Sequence, residues 1–332
     1  MFNPHYRLTK HLSDSLERTV LLSSALKRLS PKSPVKVKVT RDALGRDIHS
    51  STWIEGNMLS LAQVAALVDG KDVDAEFRQK TEVKNCINVL RWVMDHKKNT
   101  LTFARILALH AQMTKGFLPA DRCGRWRKVQ NYVINARRQI IFTPPLPKDV
   151  PARMRELLTW LLKAGKEHSV VRSAIFHHQF VAVHPFVDGN GRMARALSQW
   201  VLLQGGYDPA HSLGLDEYFA ADRTKYYQMI HETHDMDGDY THWIEYFAWG
   251  LFKSMEKLAE RLRSVKTDEG EWTPRQRELL VLLNKRGVLG SWDICRAMNV
   301  NRARVNQLIS PLIAVGVVVK EGHTRSTRYR AV

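Results

Sequence analysis

The sequence has little cysteine and no long apolar run. Its three cysteines, Cys86, Cys123 and Cys295, lie far apart without paired spacing, which excludes a disulfide framework or a zinc ribbon. No stretch reaches the ~18 consecutive apolar residues of a membrane helix, and the N-terminus does not resemble a secretory signal. We therefore expect a cytoplasmic protein with no membrane partner.

Acidic residues are outnumbered. The 332 residues include 51 Lys and Arg against 33 Asp and Glu, which gives a formal net charge of +18. A surface with this charge favours polyanions, such as nucleotides, nucleic acid or an acidic protein. The 44% hydrophobic content is that of an ordinary globular protein, so charge alone selects no function.

Most of the sequence has helical periodicity. Apolar residues from Leu12 to Leu29 recur mostly every three or four positions, and Pro31 interrupts them. We predict an N-terminal helical segment in 1–40, with 30–40 as a polar link. A short helix then covers 41–55, and further helices cover 60–68, 79–96, 101–115, 149–165, 168–182, 190–204, 216–234 and 240–264. The predicted fold class is all-α.

Two regions depart from this pattern. Residues 128–142 contain the β-prone runs VQNYVI and QIIF, which predict a hairpin that packs on the helices. Residues 265–272 form a polar linker. After it, helices over 274–285, 291–298 and 302–315 precede two short strands around Glu321 and Gly322. That order predicts a winged helix-turn-helix domain over 273–332.

The run HPFVDGNGRMAR, residues 184–195, has the composition of an anion site. Gly189 and Gly191 allow close backbone approach at a helix start, where unpaired N–H groups favour negative charge. Asn190 can add a side-chain donor. Arg192 and Arg195 lie three residues apart, so both can contact one polyphosphate.

Two further residues of the run can act on a phosphate ester. Asp188 is a hard oxygen ligand suited to Mg²⁺, and His184 can accept a proton near neutral pH. Together they predict phosphoryl or nucleotidyl transfer. The surrounding sequence lacks the βαβ alternation that a dinucleotide-binding fold requires, and it contains no P-loop motif. It also lacks the H-E-x-x-H pattern of a zinc site.

The run resembles the Fic motif, H-P-F-x-[DE]-G-N-G-R-x-x-R, at all nine specified positions. Residues 124–127 with the hairpin resemble the flap of that family, which holds a target segment, and 223–227 resemble its nucleotide-pocket segment. The similarity covers roughly residues 40–250. It implies a Fic helical core over 41–264 with a β-hairpin flap.

The resemblance also implies residue roles. His184 would be the general base, Asp188 would hold Mg²⁺ against the phosphates of ATP, and Arg195 would bind the γ-phosphate. The residues that would cradle the phosphates are Gly189, Asn190, Gly191 and Arg192; those that would border the adenosine are Gln139, Ile140, Ile141, Phe142, Tyr226 and Tyr227. His234 departs from relatives that carry Asn near the base.

A second motif concerns regulation. Residues 51–57, STWIEGN, resemble the inhibitory motif of the family, [ST]-x-x-x-E-[GN]. Ser51 and Glu55 share a helical face, and Gly56 suits a position just past a helix end. The resemblance implies that Glu55 inhibits the active site, whereas by itself the pattern fits an ordinary exposed glutamate.

The C-terminal region is strongly basic, with eleven Lys and Arg against three acids in 273–332. Arg302 and Arg304 begin the predicted recognition helix, and Arg325 and Arg328 lie in the predicted wing. These residues are candidate DNA contacts. The alternative is a domain used only for protein contacts or dimerisation.

The resulting hypothesis is a protein adenylyltransferase. It would transfer AMP from ATP, with Mg²⁺, to a Ser, Thr or Tyr hydroxyl of a target protein, including itself, and would be inhibited by Glu55. The protein could also form a homodimer. The alternatives are a nucleotide-sensing DNA-binding regulator, or a Fic enzyme that removes AMP or transfers another phosphate-containing group.

Overall fold

A computed structural model describes residues 2–27, 34–134, 139–207, 214–235, 238–266, 272–314, 317–322 and 327–331. Within these residues the protein is mostly helical with a few short strands. The predicted class, a helical core that carries a small hairpin, is confirmed. By packing, the chain divides into two compact units, one of Met1–Ala25 with Ala43–Glu256 and one of Leu26–Asp42 with Lys257–Val332.

Eleven helices and one hairpin are described before residue 267. The helices are α1 (Lys10–Lys27), α2 (Pro34–Ile54), α3 (Leu61–Val68), α4 (Phe77–Asp95), α5 (Phe103–Thr114), α6 (Val150–Lys163), α7 (Ser169–Val183), α8 (Asn190–Gln204), α9 (Leu215–Ala221), α10 (Arg223–Asp235) and α11 (Thr241–Lys266). The hairpin pairs β1 (Val133–Ile134) with β2 (Ile140–Phe142) in antiparallel register. Residues 135–138 of the predicted hairpin lie outside the described residues.

The α7–α8 pair forms the centre of the first unit. Phe176 and Phe180 of α7 are fully buried, as are Met193 and Leu197 of α8. These side chains belong to one core with residues of α3, α4, α5 and α6. Packing of this extent fixes where α7 ends and α8 begins, and the glycine-bearing run 184–195 starts at that junction.

Two predicted boundaries were wrong. Helix α2 begins at Pro34, so the predicted polar link at 30–40 is helical over 34–40; proline is favourable in the first helical turn because its missing N–H is not needed there. The predicted helix 216–234 is two helices that break at Asp222. The backbone of Asp222 is not helical (φ −138°, ψ 79°), and its carboxylate accepts a hydrogen bond from the Lys225 amide at 2.9 Å. This arrangement caps the start of α10.

In the C-terminal part of the second unit, three helices and three strands lie within the described residues. They are α12 (Pro274–Arg286), β3 (Leu289–Gly290), α13 (Ser291–Met298), α14 (Arg302–Ala314), β4 (Val318–Glu321) and β5 (Arg328–Ala331). The sheet order is β3-β5-β4, and all pairs are antiparallel. Strand β3 was not predicted. Leu279, Ile294, Val305 and Leu312 lie in the core of these elements.

The assignment of 273–332 as a winged helix stays a prediction, as do the domain boundaries at residues 40, 264 and 272. Residues 267–271 of the predicted linker lie outside the described residues. Among the helices that the structure describes, none is both long enough and apolar enough to cross a membrane.

Candidate active site

The loop between α7 and α8 has two residues in the left-handed backbone region. His184 ends α7 with φ 50°, and its amide donates to the Phe180 carbonyl at 3.0 Å. Gly189 has φ 83° and directly precedes α8. That conformation costs a glycine nothing and a histidine about 1 kcal/mol or more. The chain therefore turns sharply enough to place the His184 ring and the start of α8 around one cavity.

The Asn190 side chain holds this loop from inside. Its Oδ1 accepts from the Phe186 amide and its Nδ2 donates to the Phe186 carbonyl, both at 2.9 Å, and the residue is 3% exposed. The side chain is thus engaged within the loop, and its predicted donation to an anion stays a prediction. The backbone N–H groups at the start of α8 have no partner within the helix.

His110 supports the same loop and was missed by the sequence analysis. Its ring stacks on Phe186 with centroids 3.6 Å apart. Its Nδ1 accepts from the Gly124 amide at 2.9 Å, so its Nε2 donates to the Asp188 carbonyl at 3.0 Å. Burial lowers the pKa of His110 to about 4, which keeps the ring neutral and this tautomer fixed.

Arg127 joins the loop to the flap. Its side chain is 2% exposed, and its Nε donates to the His184 carbonyl at 2.8 Å. The other guanidinium nitrogens donate to the Val129 and Pro145 carbonyls, which flank the hairpin. The sequence pointed to Arg127 only through its position in the flap-like run 124–127, and it predicted no role for this residue.

A cavity of about 190 Å³ opens beside His184. Its lining comes from the end of α2, the hairpin, the α7–α8 junction and α10: Glu55, Val133, Ile141, Phe142, Val181, His184, Gly191, Arg195, Tyr226, Tyr227, Ile230, His231 and His234. Of the flap residues predicted to border the adenosine, Ile141 and Phe142 line it, whereas Gln139 and Ile140 do not. The contact of Gln139 and Ile140 with the adenosine stays a prediction.

The apolar end of the cavity is built from stacked rings. Phe142 and His234 are parallel, with centroids 4.0 Å apart. Tyr226 is buried, and its hydroxyl lies 2.9 Å from His177 Nε2. Tyr227 is 40% exposed and donates to the Ile54 carbonyl at 3.3 Å. A flat aromatic ligand fits such a lining.

His184 is set up to accept a proton. Its Nδ1 lies 3.3 Å from the Val181 carbonyl, which fits a proton on Nδ1 and leaves the Nε2 lone pair free. Burial lowers the pKa of His184 below its usual value, although the Val181 carbonyl and the Glu55 and Asp188 carboxylates oppose this effect. The ring is therefore neutral near pH 7.

Asp188 is the partly exposed carboxylate of the site, with 35% of its side chain accessible. Its Oδ1 accepts from the Gly189 amide and from Arg192 Nη2 at 3.2 Å, while its Oδ2 lies 3.8 Å from Arg78. Within the described residues, no cluster of three or more His, Cys, Asp or Glu could hold a metal alone. A single, partly exposed carboxylate fits Mg²⁺ held jointly with phosphate oxygens, although Asp188 is not among the residues that line the cavity.

Arg192 and Arg195 point toward different acids. Arg192 is 3% exposed, pairs with Asp188, and its guanidinium lies over the Phe117 ring at 5.2 Å. Arg195 is 1% exposed, and its Nη2 lies 2.9 Å from Glu55 Oε1. Both cations are desolvated, so each interaction is stronger than it would be in water.

The Glu55–Arg195 pair connects the end of α2 to α8. Ser51 joins it, since its Oγ accepts from Arg195 Nε at 3.0 Å and its carbonyl accepts from Nη2 at 2.8 Å. Burial alone would raise the pKa of Glu55, but Arg195 and Arg192 outweigh it and hold the pKa below its usual value. Gly56 follows the helix with φ 94°, as the sequence pattern predicted for a position past a helix end.

Gly191 makes this approach feasible. A Cβ at that position would lie 2.2 Å from Glu55 Oε1, far inside contact distance. The glycine therefore leaves the Glu55 carboxylate the space that it occupies beside α8.

Comparison with known proteins fits this geometry. The profile of the Fic/DOC family matches residues 100–202. Protein adenylyltransferase Fic of Aedes aegypti is 29% identical over 212 residues, 61% of this chain and 41% of that protein. Its namesake from Nematostella vectensis is 30% identical over 183 residues, 53% of this chain and 41% of that protein.

The chain thus spans about two fifths of the length of the curated relatives it matches. The crystal structure of a Fic family protein from Desulfovibrio desulfuricans G20 covers 100% of this chain and 98% of its own, with a TM-score of 0.70 and 25% identity. A Fic domain containing signaling protein from Bacteroides thetaiotaomicron VPI-5482 shares the fold at a TM-score of 0.61 and 20% identity, over 75% of this chain and 98% of its own.

Outside the residues that match this family, the described candidate DNA contacts are at the surface. Arg302 and Arg304 are exposed in the first turn of α14, and Arg328 is exposed on β5. Arg304 donates to Gln307 at 3.1 Å on the same helix. Arg325 lies outside the described residues.

Proposed function

We propose that this protein transfers AMP from ATP to a hydroxyl of a protein substrate and that Glu55 inhibits the transfer. The observation that carries the proposal is the convergence on one cavity of a neutral histidine, a helix N-terminus and a buried arginine, namely His184, the start of α8 and Arg195. The names of the curated relatives support the same activity.

The transfer step follows from the residues around the cavity. His184 Nε2 takes the proton of a Ser, Thr or Tyr hydroxyl as its oxygen attacks the α-phosphorus of ATP. A new P–O bond forms to the target, the bond to the bridging oxygen breaks, and pyrophosphate leaves. The N–H groups of Gly189 to Arg192 and the α8 dipole stabilise the charge that develops on the phosphate oxygens.

The remaining groups orient the nucleotide. Asp188 would hold Mg²⁺, which when bound neutralises phosphate charge. Arg192 and Arg195 would bind the polyphosphate, and the adenine would lie toward Phe142, Tyr226 and Tyr227.

The target segment would bind along the flap. Hairpin β1–β2 is two-stranded, and Ile134 and Ile140 on it are 54% and 57% exposed. An extended segment can add to such an edge by backbone hydrogen bonds, and a loop of this protein itself can serve as that segment. The cytoplasmic location and the homodimer predicted from the sequence stay predictions.

Inhibition would act through Arg195. While Glu55 accepts from Arg195 Nη2, the γ-phosphate cannot bind that nitrogen, and ATP lies with its α-phosphate turned from the attacking oxygen. Release of Glu55 would restore the binding of the γ-phosphate.

The test is incubation with ATP labelled at the α-phosphate, Mg²⁺ and a lysate of the source organism, with Glu55→Gly beside the unaltered protein. Labelled proteins are then identified by mass spectrometry, and the expected mass added to a hydroxyl residue is that of AMP. Absence of label from both proteins, although both bind ATP, would reject AMP transfer. Label from another phosphate-containing donor, or loss of label from an AMP-modified substrate, would favour the other two Fic activities.

A nucleotide-sensing DNA-binding regulator is the second candidate. The observation in its favour is the pair of exposed arginines at the start of α14, Arg302 and Arg304. It would require ATP to change duplex affinity without consumption of the nucleotide. Measurement of duplex binding with and without ATP separates this regulator from the enzyme.

A further inference from the structure

Arg195 has a second carboxylate partner, Asp216, which lies on α9. Asp216 Oδ2 is 3.6 Å from Arg195 Nε, and the two side chains are 3% and 1% exposed. Ser51 lies between them and hydrogen-bonds both. The guanidinium is therefore paired with Glu55 through Nη2 and with Asp216 through Nε.

A guanidinium in this position needs a counter-charge. Burial alone would lower the pKa of Arg195, whereas the carboxylates of Glu55 and Asp216 raise it. Leaving a buried charge without its partner is strongly destabilising. If Glu55 were the sole partner, its departure during activation would leave the Arg195 cation unpaired until a phosphate arrived.

The two carboxylates differ in freedom to move. Glu55 is the residue after the end of α2, and 27% of its side chain is exposed at the cavity. Asp216 lies in the first turn of α9, where its own amide donates to Asp47 Oδ1 at 3.1 Å. Glu55 can therefore leave toward the cavity, while Asp216 is held by packing and by its backbone.

We propose that Asp216 is a positioning residue that supplies the counter-charge of the Arg195 guanidinium and holds it in place when Glu55 leaves. The proposal rests on the inhibitory role given to Glu55 above. Burial raises the pKa of Asp216 to about 6, Arg195 opposes that effect and Glu55 adds to it. Departure of Glu55 thus favours the ionised form of Asp216, which is the form that pairs with Arg195.

Asp47 provides a matched control within the same cluster. It is 1% exposed, and its Oδ2 accepts from Gln199 Nε2 at 2.9 Å. Burial and the neighbouring Asp216 raise its pKa well above the usual value. Its oxygens accept hydrogen bonds from Gln199 and from the Asp216 amide, which an asparagine can also accept in part. Asp47→Asn therefore changes a carboxyl of the cluster while Glu55 and Asp216, the acids that contact Arg195, stay in place.

The experiment is a double-mutant cycle on the full chain, with the melting temperature as readout. Glu55→Gly and Asp216→Asn are made singly and together, and Glu55→Gly is also combined with Asp47→Asn. We expect the Glu55→Gly/Asp216→Asn pair to melt about 2–6 °C below the additive value, because no counter-charge remains. The Asp47 pair should be additive. Additive losses for both pairs, or equal coupling in both, would overturn the proposal.

The unpaired charge of Arg195 gives a second prediction for the same variants. If Glu55→Gly/Asp216→Asn is not recovered as a folded protein, adding Arg195→Met should restore recovery, since the unpaired charge is gone. Failure of that triple variant to fold would show a merely structural need for Asp216 and would also overturn the proposal.

The cycle also separates this inference from the proposed inhibition. Coupling in the melting temperature, with Glu55→Gly transferring AMP no faster than the unaltered protein, would leave the Asp216 pairing intact and reject inhibition by Glu55. Additive melting temperatures with faster transfer by Glu55→Gly would reject the Asp216 pairing and support inhibition by Glu55.

Discussion

Two sets of arginines in this protein lie in opposite environments. Arg192 and Arg195 are nearly inaccessible and are paired with acids, whereas Arg302, Arg304 and Arg328 are exposed. A buried cation must have a specific partner because its desolvation costs several kcal/mol. An exposed cation is solvated, so its position fits DNA binding, protein contact or solubility equally well.

The difference decides how much can be inferred from each set. The partners of Arg195 come from α2 and α9, and this pairing supports the proposed anion site and its proposed inhibition by Glu55. Exposed ion pairs contribute only about 0–1 kcal/mol. The pairing of Arg330 with Glu321 at 2.6 Å on the C-terminal sheet therefore carries no functional argument.

The comparison depends first on whether the buried site is catalytic, which His184→Ala tests. We expect transfer of AMP to fall by about 10²–10⁴, because the general base acts in the transition state. ATP affinity should stay nearly unchanged, since His184 makes little contact with phosphate. Rates of α-labelled transfer and the ATP dissociation constant are measured together.

Two variants control for folding. His184→Asn keeps a side chain that tolerates the left-handed backbone at φ 50° and should be as inactive as His184→Ala. His242→Ala, on the exposed surface of α11, should keep the original rate. Transfer by His184→Ala at the rate of the unaltered protein would contradict the assignment of the base.

The second prediction sharpens the role of the buried pair. Glu55→Gly should raise AMP transfer by about 10²-fold, most visibly as self-labelling, because misplacement of a reacting group by ~1 Å costs about that factor. The increase in rate should exceed any increase in ATP affinity. Single-turnover rates and binding constants are compared for the two proteins.

Arg195→Ala in the Glu55→Gly background should erase that gain, since both changes act through one pair. Glu76→Gly, a glutamate that precedes α4 away from the cavity, is the control and should leave the rate unchanged. If Glu55→Gly labels no faster than the unaltered protein while His184→Ala stays inactive, Glu55 is not an inhibitor.

The exposed set gives the smallest expected effect. If the C-terminal region binds DNA, Arg302→Ala with Arg304→Ala should weaken duplex binding and reduce the slope of log affinity against log salt by about 2, because each arginine neutralises one phosphate. Binding is titrated by fluorescence anisotropy at several salt concentrations. Arg275→Ala with Arg277→Ala, on α12, is a control of equal charge change. Equal weakening in both pairs would show unspecific attraction, and no binding at low salt would leave a protein-contact role.

The local features of this site could be predicted from sequence. The glycines of 184–195, the histidine before them and the helix after them require only nearest-neighbour backbone chemistry, and the structure has α8 beginning at Asn190. The resemblance implied only that Glu55 inhibits the site, and spacing could not show its pairing with Arg195, because 140 residues separate the two.

Other features were decided by the tertiary structure. The side chain of Asn190 hydrogen-bonds the Phe186 backbone within the loop, and His110 and Arg127 reach the loop from distant elements. Asp216 looks in the sequence like an ordinary acid of a helix start. Its proximity to Arg195 exists only because α9 packs beside α8 in the folded protein.

The sequence by itself thus determined the helical class, the anion-binding helix start and the candidate base, since each depends on residues within a dozen positions. The tertiary structure decided which donors remain free and which charges are paired. Those properties depend on burial and on contacts between residues far apart in the chain, and a buried arginine such as Arg195 can be interpreted only once every acid around it is known.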